Sequence, residues 1–317
     1  MSVKILPEAV NSPVELRNVY AETLNEIIAD NKKVMALEAD LVGAIKTGPV
    51  AEKNPNNFIN CGIMEANMVG VASGLSVRGL VPYMHTFGPF ATRRCYDQLF
   101  LSIGYSGLNL KVIGSDAGVS AQHNGGTHMP FEDLGLMRLI PEATVMVMSD
   151  HVMFKDILKQ TSKIHGLQYI RIVRKNMAQL YAEGSSFEIG KGIVLKEGTD
   201  ATIIANGIML EEALGAREIL AKEGISAAVI DMFTIKPIDQ SLLLEYAKKT
   251  KLIVTAENHN VIGGLGSAVL EALETETVKV KRIGVQDRYG QVGTQDFLQK
   301  EYNLTKEDIV KAVKENL

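Results

Sequence analysis

The sequence predicts an α/β protein made of two doubly wound domains. Short runs rich in Val and Ile recur along the 317 residues, and segments of helical periodicity separate them. That alternation is typical of parallel sheets covered by helices on both faces. A chain of this length, with 46% hydrophobic residues, is also too long for one ordinary core, which favours two domains.

The predicted elements form two series along the chain. Strands are expected first at 34–40, 58–62, 80–87, 110–116, 144–149 and 169–173. From 177 to 200 the alternation of strand and helix patterns stops. This segment contains four glycines, and only a small strand is expected in it, at 192–198. Further strands follow at 201–207, 226–232, 251–258 and 280–286, with a helix at 210–224. We therefore expect a first domain over 1–180, a linker over 181–199 and a second domain over 200–317.

The composition excludes several classes of function. The 33 basic and 37 acidic residues are interspersed and give a net charge of -4, so no basic stripe could follow a phosphate backbone. No run of about 18 apolar residues and no secretory signal pattern occurs. Cys61 and Cys95 form no zinc or redox motif, so both are expected to be reduced thiols. These features predict a soluble, cytoplasmic protein that binds neither nucleic acid nor membrane.

Several polar or aromatic residues follow predicted strands, at the edge where open parallel sheets bind ligands. Asp40, Phe87, Asp116 and Glu257 all occupy such positions. The chain has no GxxxxGK[ST] phosphate loop. The glycine-rich run GGLGSA at 263–268 does not satisfy the dinucleotide fingerprint and predicts a tight turn at the start of a helix.

Glu65 and an aromatic pair are the first candidate site residues. Glu65 lies in GIMEANMVGVASGL, among small and apolar residues, which suits a carboxyl group used for acid or base chemistry. The alternative is an acid favoured by the helix dipole at an N-terminus. Phe87 and Phe90 lie three apart across a Gly-Pro turn, which suits a flat heterocycle, although burial in an ordinary core also explains them.

The segment AQHNGGTHMP, at 121–130, predicts a functional loop. Its glycines allow sharp turns, so His123, Asn124 and His128 are expected on a loop. A histidine here could ligate a metal, but no His or Cys cluster completes a set, and we expect no metal site in this chain. Contact with an oxygen-rich substrate is the stronger interpretation, and a histidine that caps nearby carbonyls is the alternative.

Taken in order, a series of segments resembles the C-terminal half of a transketolase, in the form where that enzyme is split into two polypeptides. The likeness covers nearly the whole chain. The segments are GIMEANMVGVASGL, HTFGPF, HNGGTHMPFED, VRKNMAQLY, AENHNVIGGLGSAV and DRYGQVGTQDFLQKEYNL. The resemblance implies a pyrimidine-binding domain followed by a transketolase C-terminal domain. It also implies transfer of a two-carbon ketol unit from a ketose donor to an aldose, in carbohydrate metabolism such as the pentose phosphate pathway.

The resemblance further implies a thiamine diphosphate site in this chain. Glu65 matches the glutamate that hydrogen-bonds N1′ of the aminopyrimidine ring. Phe87 and Phe90 match the aromatic residues around that ring, and Asp40 matches an acid near the cofactor. The cofactor supplies the carbanion chemistry, and the protein supplies orientation and proton control.

The substrate residues that the resemblance implies include two departures from the family pattern. His128 matches a contact to the donor oxygens, and Arg17 and Arg174 match the arginines that hold the terminal phosphate, a role that suits a guanidinium fork. Asn124 stands where the family commonly has Asp, and Asp116 stands where a His commonly helps to bind phosphate. An anion in place of a cation puts the usual sugar phosphates in doubt as substrates.

A partner chain is implied by what the sequence lacks. The GDG motif with a downstream Asn, which holds Mg²⁺ and the diphosphate in the family, is absent. The resemblance therefore implies an N-terminal subunit that carries this site, in an α2β2 assembly where copies of this chain also dimerise. A 2-oxo acid dehydrogenase β subunit, a fragment of 1-deoxyxylulose-5-phosphate synthase and a non-catalytic partner subunit are the alternatives.

Overall fold

The computed structural model describes residues 2–317. The strands are β1 (Ile5–Glu15), β2 (Val34–Glu38), β3 (Phe58–Asn60), β4 (Val81–Phe87), β5 (Leu110–Ser115), β6 (Thr144–Val147), β7 (Leu167–Arg171), β8 (Asn176–Tyr181), β9 (Ile193–Lys196), β10 (Ala201–Ala205), β11 (Ala227–Asp231), β12 (Thr234–Lys236), β13 (Leu252–Asn260) and β14 (Lys279–Val285).

The helices alternate with these strands. They are α1 (Leu16–Asp30), α2 (Val42–Ile45), α3 (Gly48–Lys53), α4 (Glu65–Val77), α5 (Gly88–Ala91), α6 (Tyr96–Gln98), α7 (Asp133–Leu139), α8 (His151–Thr161), α9 (Met209–Lys222), α10 (Gln240–Lys249), α11 (Leu265–Ala272), α12 (Gln295–Glu301) and α13 (Lys306–Lys314). None of the helices within residues 2–317 is long and apolar enough to cross a membrane.

The chain divides into two compact units. The first contains the residues up to Ala117 together with Leu136–Phe187, and the second contains Gly118–Gly135 together with Glu188–Leu317. The segment 118–135 therefore packs with the second unit, although it lies inside the first predicted domain. The strand expected at 192–198 forms as β9, within the segment predicted as a linker.

The first unit contains a parallel sheet in the strand order β6-β7-β5-β4-β2-β3. Every residue of β2, β5 and β7 is buried, as expected for strands with helices on both faces. Because the strands are parallel, the C-terminal ends of β2, β4 and β5 meet at one edge of the sheet. Glu38, Phe87 and Ser115 end these strands and line that edge.

A second, antiparallel pair in the first unit joins β1 to β8. The sequence patterns did not predict either strand. Pro7 and Pro13 interrupt β1, whose residues are mostly exposed, and β8 (NMAQLY) mixes polar and apolar residues. Backbone hydrogen bonds continue past the pair, from Arg17 N–H to the carbonyl of Arg174 (3.1 Å), so the segments that carry these two arginines run side by side.

The second unit is also α/β, with the strand order β14-β13-β10-β11-β9 and only β9 antiparallel to its neighbour among these strands. The prediction that GGLGSA starts a helix is confirmed, because α11 begins at Leu265. Glu257 lies inside β13 and not at its end as expected. Its carboxylate accepts from the backbone N–H groups of Leu265 (2.6 Å) and Gly266 (2.9 Å), so a carboxylate of the chain itself occupies this helix N-terminus.

Candidate active site

Glu65 is a buried carboxylate at the start of a helix. It opens α4, and only 2% of its surface is exposed. Its Oε1 accepts hydrogen bonds from Arg94 Nη1 (2.9 Å) and Thr86 Oγ1 (3.4 Å), whereas Oε2 takes no hydrogen bond within residues 2–317. One carboxylate oxygen is therefore fixed by the chain and the other remains available to a ligand. Sequence patterns did not identify Arg94, which simply follows Arg93 in a short 3-10 turn.

Phe87 and Phe90 form an aromatic pair, with ring centroids 6.1 Å apart. They do not project from an open loop as expected, because β4 ends at Phe87 and Phe90 lies in the short helix α5. The guanidinium carbon of Arg94 lies 3.6 Å from the centroid of Phe90, and that of Arg174 lies 4.9 Å from the centroid of Phe87. A strand end and a helical turn therefore hold both rings in defined positions.

Asp116 and Arg174 form an ion pair at the same sheet edge. Asp116 directly follows β5 and is buried, and its Oδ2 lies 2.7 Å from Arg174 Nε. Only 21% of the Arg174 side chain is exposed, and its hydrogen bonds within residues 2–317 come from Nε alone. A run of direct contacts thus leads from Glu65 to Asp116. Its members, in order, are Glu65, Arg94, Phe90, Phe87, Arg174 and Asp116, and all of them except Arg94 were candidate site residues.

Arg17, the other predicted phosphate arginine, is also paired with a carboxylate. Its Nε and Nη2 donate to Glu15 at 2.8 and 3.0 Å, and its Nη1 donates to the carbonyl of Ala44 (3.3 Å). Lys46 Nζ donates to Glu15 as well, at 2.9 Å. The hydrogen bonds from Arg17, followed by that from Lys46, lower the pKa of Glu15 to about 2. Glu15 is therefore ionised and holds Arg17 in place.

Asp40 is exposed and lies two residues beyond β2, in the left-handed backbone region at φ 61°. Asn60 holds it there: the Asp40 N–H donates to Asn60 Oδ1 (3.0 Å), and Asn60 Nδ2 donates to Asp40 Oδ1 (3.3 Å). No side-chain hydrogen bond or ion pair links Asp40 or Arg17 to the run from Glu65 to Asp116 within residues 2–317, although the backbone N–H of Arg17 donates to the carbonyl of Arg174. Asp40 is thus placed by the end of β3, independently of the aromatic pair.

A buried polar chain lies behind Asp116, and the sequence analysis did not predict it. Glu38 Oε2 lies 2.9 Å from His85 Nδ1, and His85 Nε2 lies 3.0 Å from Ser115 Oγ, which donates to Asp116 Oδ2 (3.1 Å). Thr47 Oγ1 donates to the other oxygen of Glu38 at 2.9 Å. The sequence did contain a sign of this chain, because Glu38 and His85 are titratable residues inside strands that are otherwise almost entirely apolar.

The predicted loop residues belong to the second unit. A 3-10 helix covers Gly118–Asn124, and its last two residues, His123 and Asn124, are exposed. His128 lies beyond the helix and is half-buried. His128 Nδ1 lies 2.8 Å from Thr127 Oγ1, which orients the ring. Asn258 anchors the start of the segment, because its Oδ1 accepts from the Val119 N–H (2.9 Å). The loop is therefore more ordered than its glycine content predicts.

The residues of the first unit fit the aminopyrimidine ring of thiamine diphosphate. Glu65 offers the unpaired Oε2, and the two phenyl rings offer apolar faces for a flat heterocycle. Arg94 covers one face of Phe90, which leaves the other face of that ring for a ligand. Within residues 2–317 no group of three or more His, Cys, Asp or Glu side chains could hold a metal ion.

Two family models match the chain and together cover most of it. The model of the transketolase pyrimidine-binding domain matches residues 12–179, and that of the transketolase C-terminal domain matches residues 190–309. The first match alone spans more than half of the chain.

Curated relatives and solved structures agree with these matches. The chain is 44% identical to the 6-deoxy-6-sulfo-D-fructose transketolase subunit SqwH of Clostridium sp. (strain MSTE9), over 95% of this chain and 94% of the relative. It is 32% identical to an apulose-4-phosphate transketolase subunit of Phocaeicola vulgatus, over 96% and 98%. A solved split gene transketolase, an inactive beta4 tetramer, is 41% identical with a TM-score of 0.88, over 96% of this chain and 99% of that one.

Proposed function

This chain belongs to the transketolase family, and we propose that, as a C-terminal subunit acting with a partner chain, it transfers a two-carbon ketol unit from a ketose donor to an aldose acceptor. The observation that carries the proposal is the run of contacts from Glu65 through the aromatic pair to Arg174. It combines a buried carboxylate, a binding face for a flat ring and a cation for the far end of a substrate. The family resemblance favours this reaction over that of a 2-oxo acid dehydrogenase β subunit.

Thiamine diphosphate supplies the carbanion chemistry when bound, and the residues of this chain orient it and control protons. Glu65 would contact the aminopyrimidine through its free Oε2 and exchange a proton there, while Arg94 and Thr86 keep the other oxygen fixed. Phe87 and Phe90 exclude water from the faces of the ring. Asp40 is the further cofactor contact, held at the end of β2 by Asn60.

The same proposal assigns the substrate residues. His128 and Asn124 contact the donor's hydroxyl and carbonyl oxygens, and Arg17, Arg174 and Asp116 contact its terminal group. The names of the two split relatives specify 6-deoxy-6-sulfo-D-fructose and apulose-4-phosphate, both of which carry an acidic group. A ketose with an acidic group is therefore the proposed donor class. A role in the pentose phosphate pathway stays a prediction, because these relatives are named for other sugars.

A second polypeptide completes the proposed enzyme. We assign Mg²⁺ and the diphosphate to an N-terminal subunit, in an α2β2 assembly that includes a dimer of this chain. The helix α4 supports an assembly, because its sequence is apolar or small along most of its length while only Glu65, Met68, Val69 and Ala72 are buried. The chain also spans about half of the mouse transketolase that it matches at 35% identity.

The proposal divides the chain into a pyrimidine-binding domain over 1–180, a linker over 181–199 and a C-terminal domain over 200–317. A reducing compartment such as the cytoplasm suits its two free cysteines. Burial raises the pKa of both thiols, that of Cys95 to about 12, which makes them unreactive packed groups.

Reconstitution tests the proposed function. The chain is mixed with the N-terminal subunit, thiamine diphosphate and Mg²⁺, and ketol transfer is measured with a ketose donor and an aldose acceptor. We expect transfer from the mixture and none from either subunit alone. Oxidative or non-oxidative release of CO₂ from a 2-oxo acid, without ketol transfer, would instead assign the chain to the dehydrogenase class.

A further inference from the structure

The buried polar chain Glu38–His85–Ser115–Asp116 crosses the sheet edge from β2 to the segment after β5. All four side chains are at most 3% exposed, and their consecutive contacts are 2.9, 3.0 and 3.1 Å long. A buried polar group destabilises the fold unless it has a hydrogen-bond partner. Because every member of this chain has one, the network holds each side chain in a single position. Its last member, Asp116, carries the ion pair to Arg174.

Counting donors determines the charge of this chain. The hydroxyl of Ser115 has one proton, which it donates to Asp116. It must therefore accept the hydrogen bond from His85 Nε2. The contact between His85 Nδ1 and Glu38 also needs one proton, which either partner can carry. Glu38 and His85 together are thus neutral in both arrangements. Asp116, which only accepts, keeps its negative charge and points it at Arg174.

The charge balance around the predicted terminal-group arginines follows from these contacts. Arg17, Lys46 and Arg174 supply three positive charges, and Glu15 and Asp116 supply two negative charges within 2.9 Å of them. The formal sum is +1. One net positive charge matches a monoanion, whereas the second charge of a dianion would lie beside Asp116 and would not be compensated by these five groups.

We propose that Glu38, His85 and Ser115 are positioning residues that hold Asp116 on Arg174, and that this arrangement selects ketose donors whose terminal group carries one negative charge, such as a sulfonate, over donors that end in a dianionic phosphate. The inference rests on the proposed function, because it concerns the donor of that reaction. The terminal nitrogens of Arg174, which make no hydrogen bond within residues 2–317, are the groups that receive the monoanion.

A matched donor pair tests the selection in the reconstituted enzyme. The donors are 6-deoxy-6-sulfo-D-fructose and D-fructose 6-phosphate, and the readout is the ratio of their kcat/KM values. We expect the wild type to favour the sulfonate, and Asp116→Asn to shift the ratio toward the phosphate by at least about tenfold, the scale of one charge at a partly screened site. Ser115→Ala removes one hydrogen bond to Asp116 but leaves its ion pair with Arg174, so it should shift the ratio by about threefold, the scale of one weak hydrogen bond.

Ser149→Ala is the control for a structural effect. Ser149 is a buried serine of the same unit whose hydroxyl has no hydrogen-bond partner within residues 2–317, so its loss should leave the ratio unchanged. A wild-type preference for the phosphate, or an unchanged ratio in active Asp116→Asn enzyme, would overturn the inference. An equal shift in Ser149→Ala and Ser115→Ala would overturn the positioning role.

Anion binding by the full chain separates this inference from the proposed function. The Nε–H resonance of Arg174 is followed by NMR during titration with methanesulfonate and with methyl phosphate at pH 8, where the phosphate is dianionic. We expect methanesulfonate to bind more tightly, and Asp116→Asn to reverse the order. Tighter binding of methyl phosphate to the wild type contradicts the inference. The expected order without ketol transfer by the reconstituted enzyme supports the inference and contradicts the proposed function.

Discussion

Replacing Glu65 with Gln should abolish turnover without disturbing the fold. The amide is nearly the same size as the carboxyl group, and its oxygen can still accept the 2.9 Å hydrogen bond from Arg94 Nη1. Because 42% of the Arg94 side chain is exposed, losing the charge of the pair should change the free energy of unfolding by no more than about 1 kcal/mol. The substitution therefore separates proton chemistry from structure.

The expected loss of rate follows from the proton that Glu65 would exchange with the cofactor. General acid–base catalysis contributes about 10²- to 10⁴-fold, which corresponds to about 2.7 to 5.4 kcal/mol of activation free energy. An amide cannot exchange a proton with a ring nitrogen, so the whole of this contribution should disappear. The loss should fall on kcat, because the ring faces supplied by Phe87 and Phe90 remain intact.

The assay is the rate at which the bound cofactor exchanges its C2 proton, measured by NMR in the reconstituted enzyme beside steady-state turnover. Arg94→Met is the matched control, since it frees Glu65 without changing it. We expect slow exchange only in Glu65→Gln. Wild-type exchange in that variant would show that Glu65 does not control the proton, and equally slow exchange in Arg94→Met would show that the ion pair matters instead.

His128→Ala should lower kcat/KM by about tenfold or more for every donor, charged or uncharged at its far end; an effect confined to charged donors would place His128 at the terminal group. Glu15→Gln should lower the free energy of unfolding by about 1 kcal/mol at pH 7, after allowance for solvent screening. Because the pKa of Glu15 is lowered from 4.5 to about 2, this stabilisation is present above pH 4.5 and lost as the pH falls through 2, so denaturation curves of the two proteins should converge there. Gly264→Ala should cost about 2 kcal/mol, because the added methyl group meets the Glu257 carboxylate that caps α11; an unchanged Tm would contradict that close approach.

The strands of both units could be predicted wherever helices cover both faces. Runs such as VMALE and ATIIA are fully buried, and every position in them is apolar or small apart from Glu38 and Thr202. The strand β1 escaped prediction because it is an exposed edge strand with two prolines, which carries no period-2 pattern. Its register depends on β8, about 165 residues further along the chain.

Candidate site residues could be named from the sequence, but their pairings could not. Glu65, Phe87 and Phe90 were identified from local sequence, and the structure places them in one run of contacts. The partner of Glu65 lies 29 residues away and the partner of Asp116 lies 58 residues away, and no local pattern encodes such distances. Likewise, the packing of 118–135 with the second unit depends on contacts such as Phe131 against Tyr302 (5.3 Å between ring centroids).

Calorimetric titration with thiamine diphosphate tests the central claim most directly, because it asks whether half of the cofactor site lies on another chain. The isolated chain and the chain mixed with the N-terminal subunit are titrated in the presence and absence of Mg²⁺. The account predicts weak or no binding to the isolated chain, and tight binding that requires Mg²⁺ in the mixture. Tight, Mg²⁺-dependent binding to the isolated chain would contradict it.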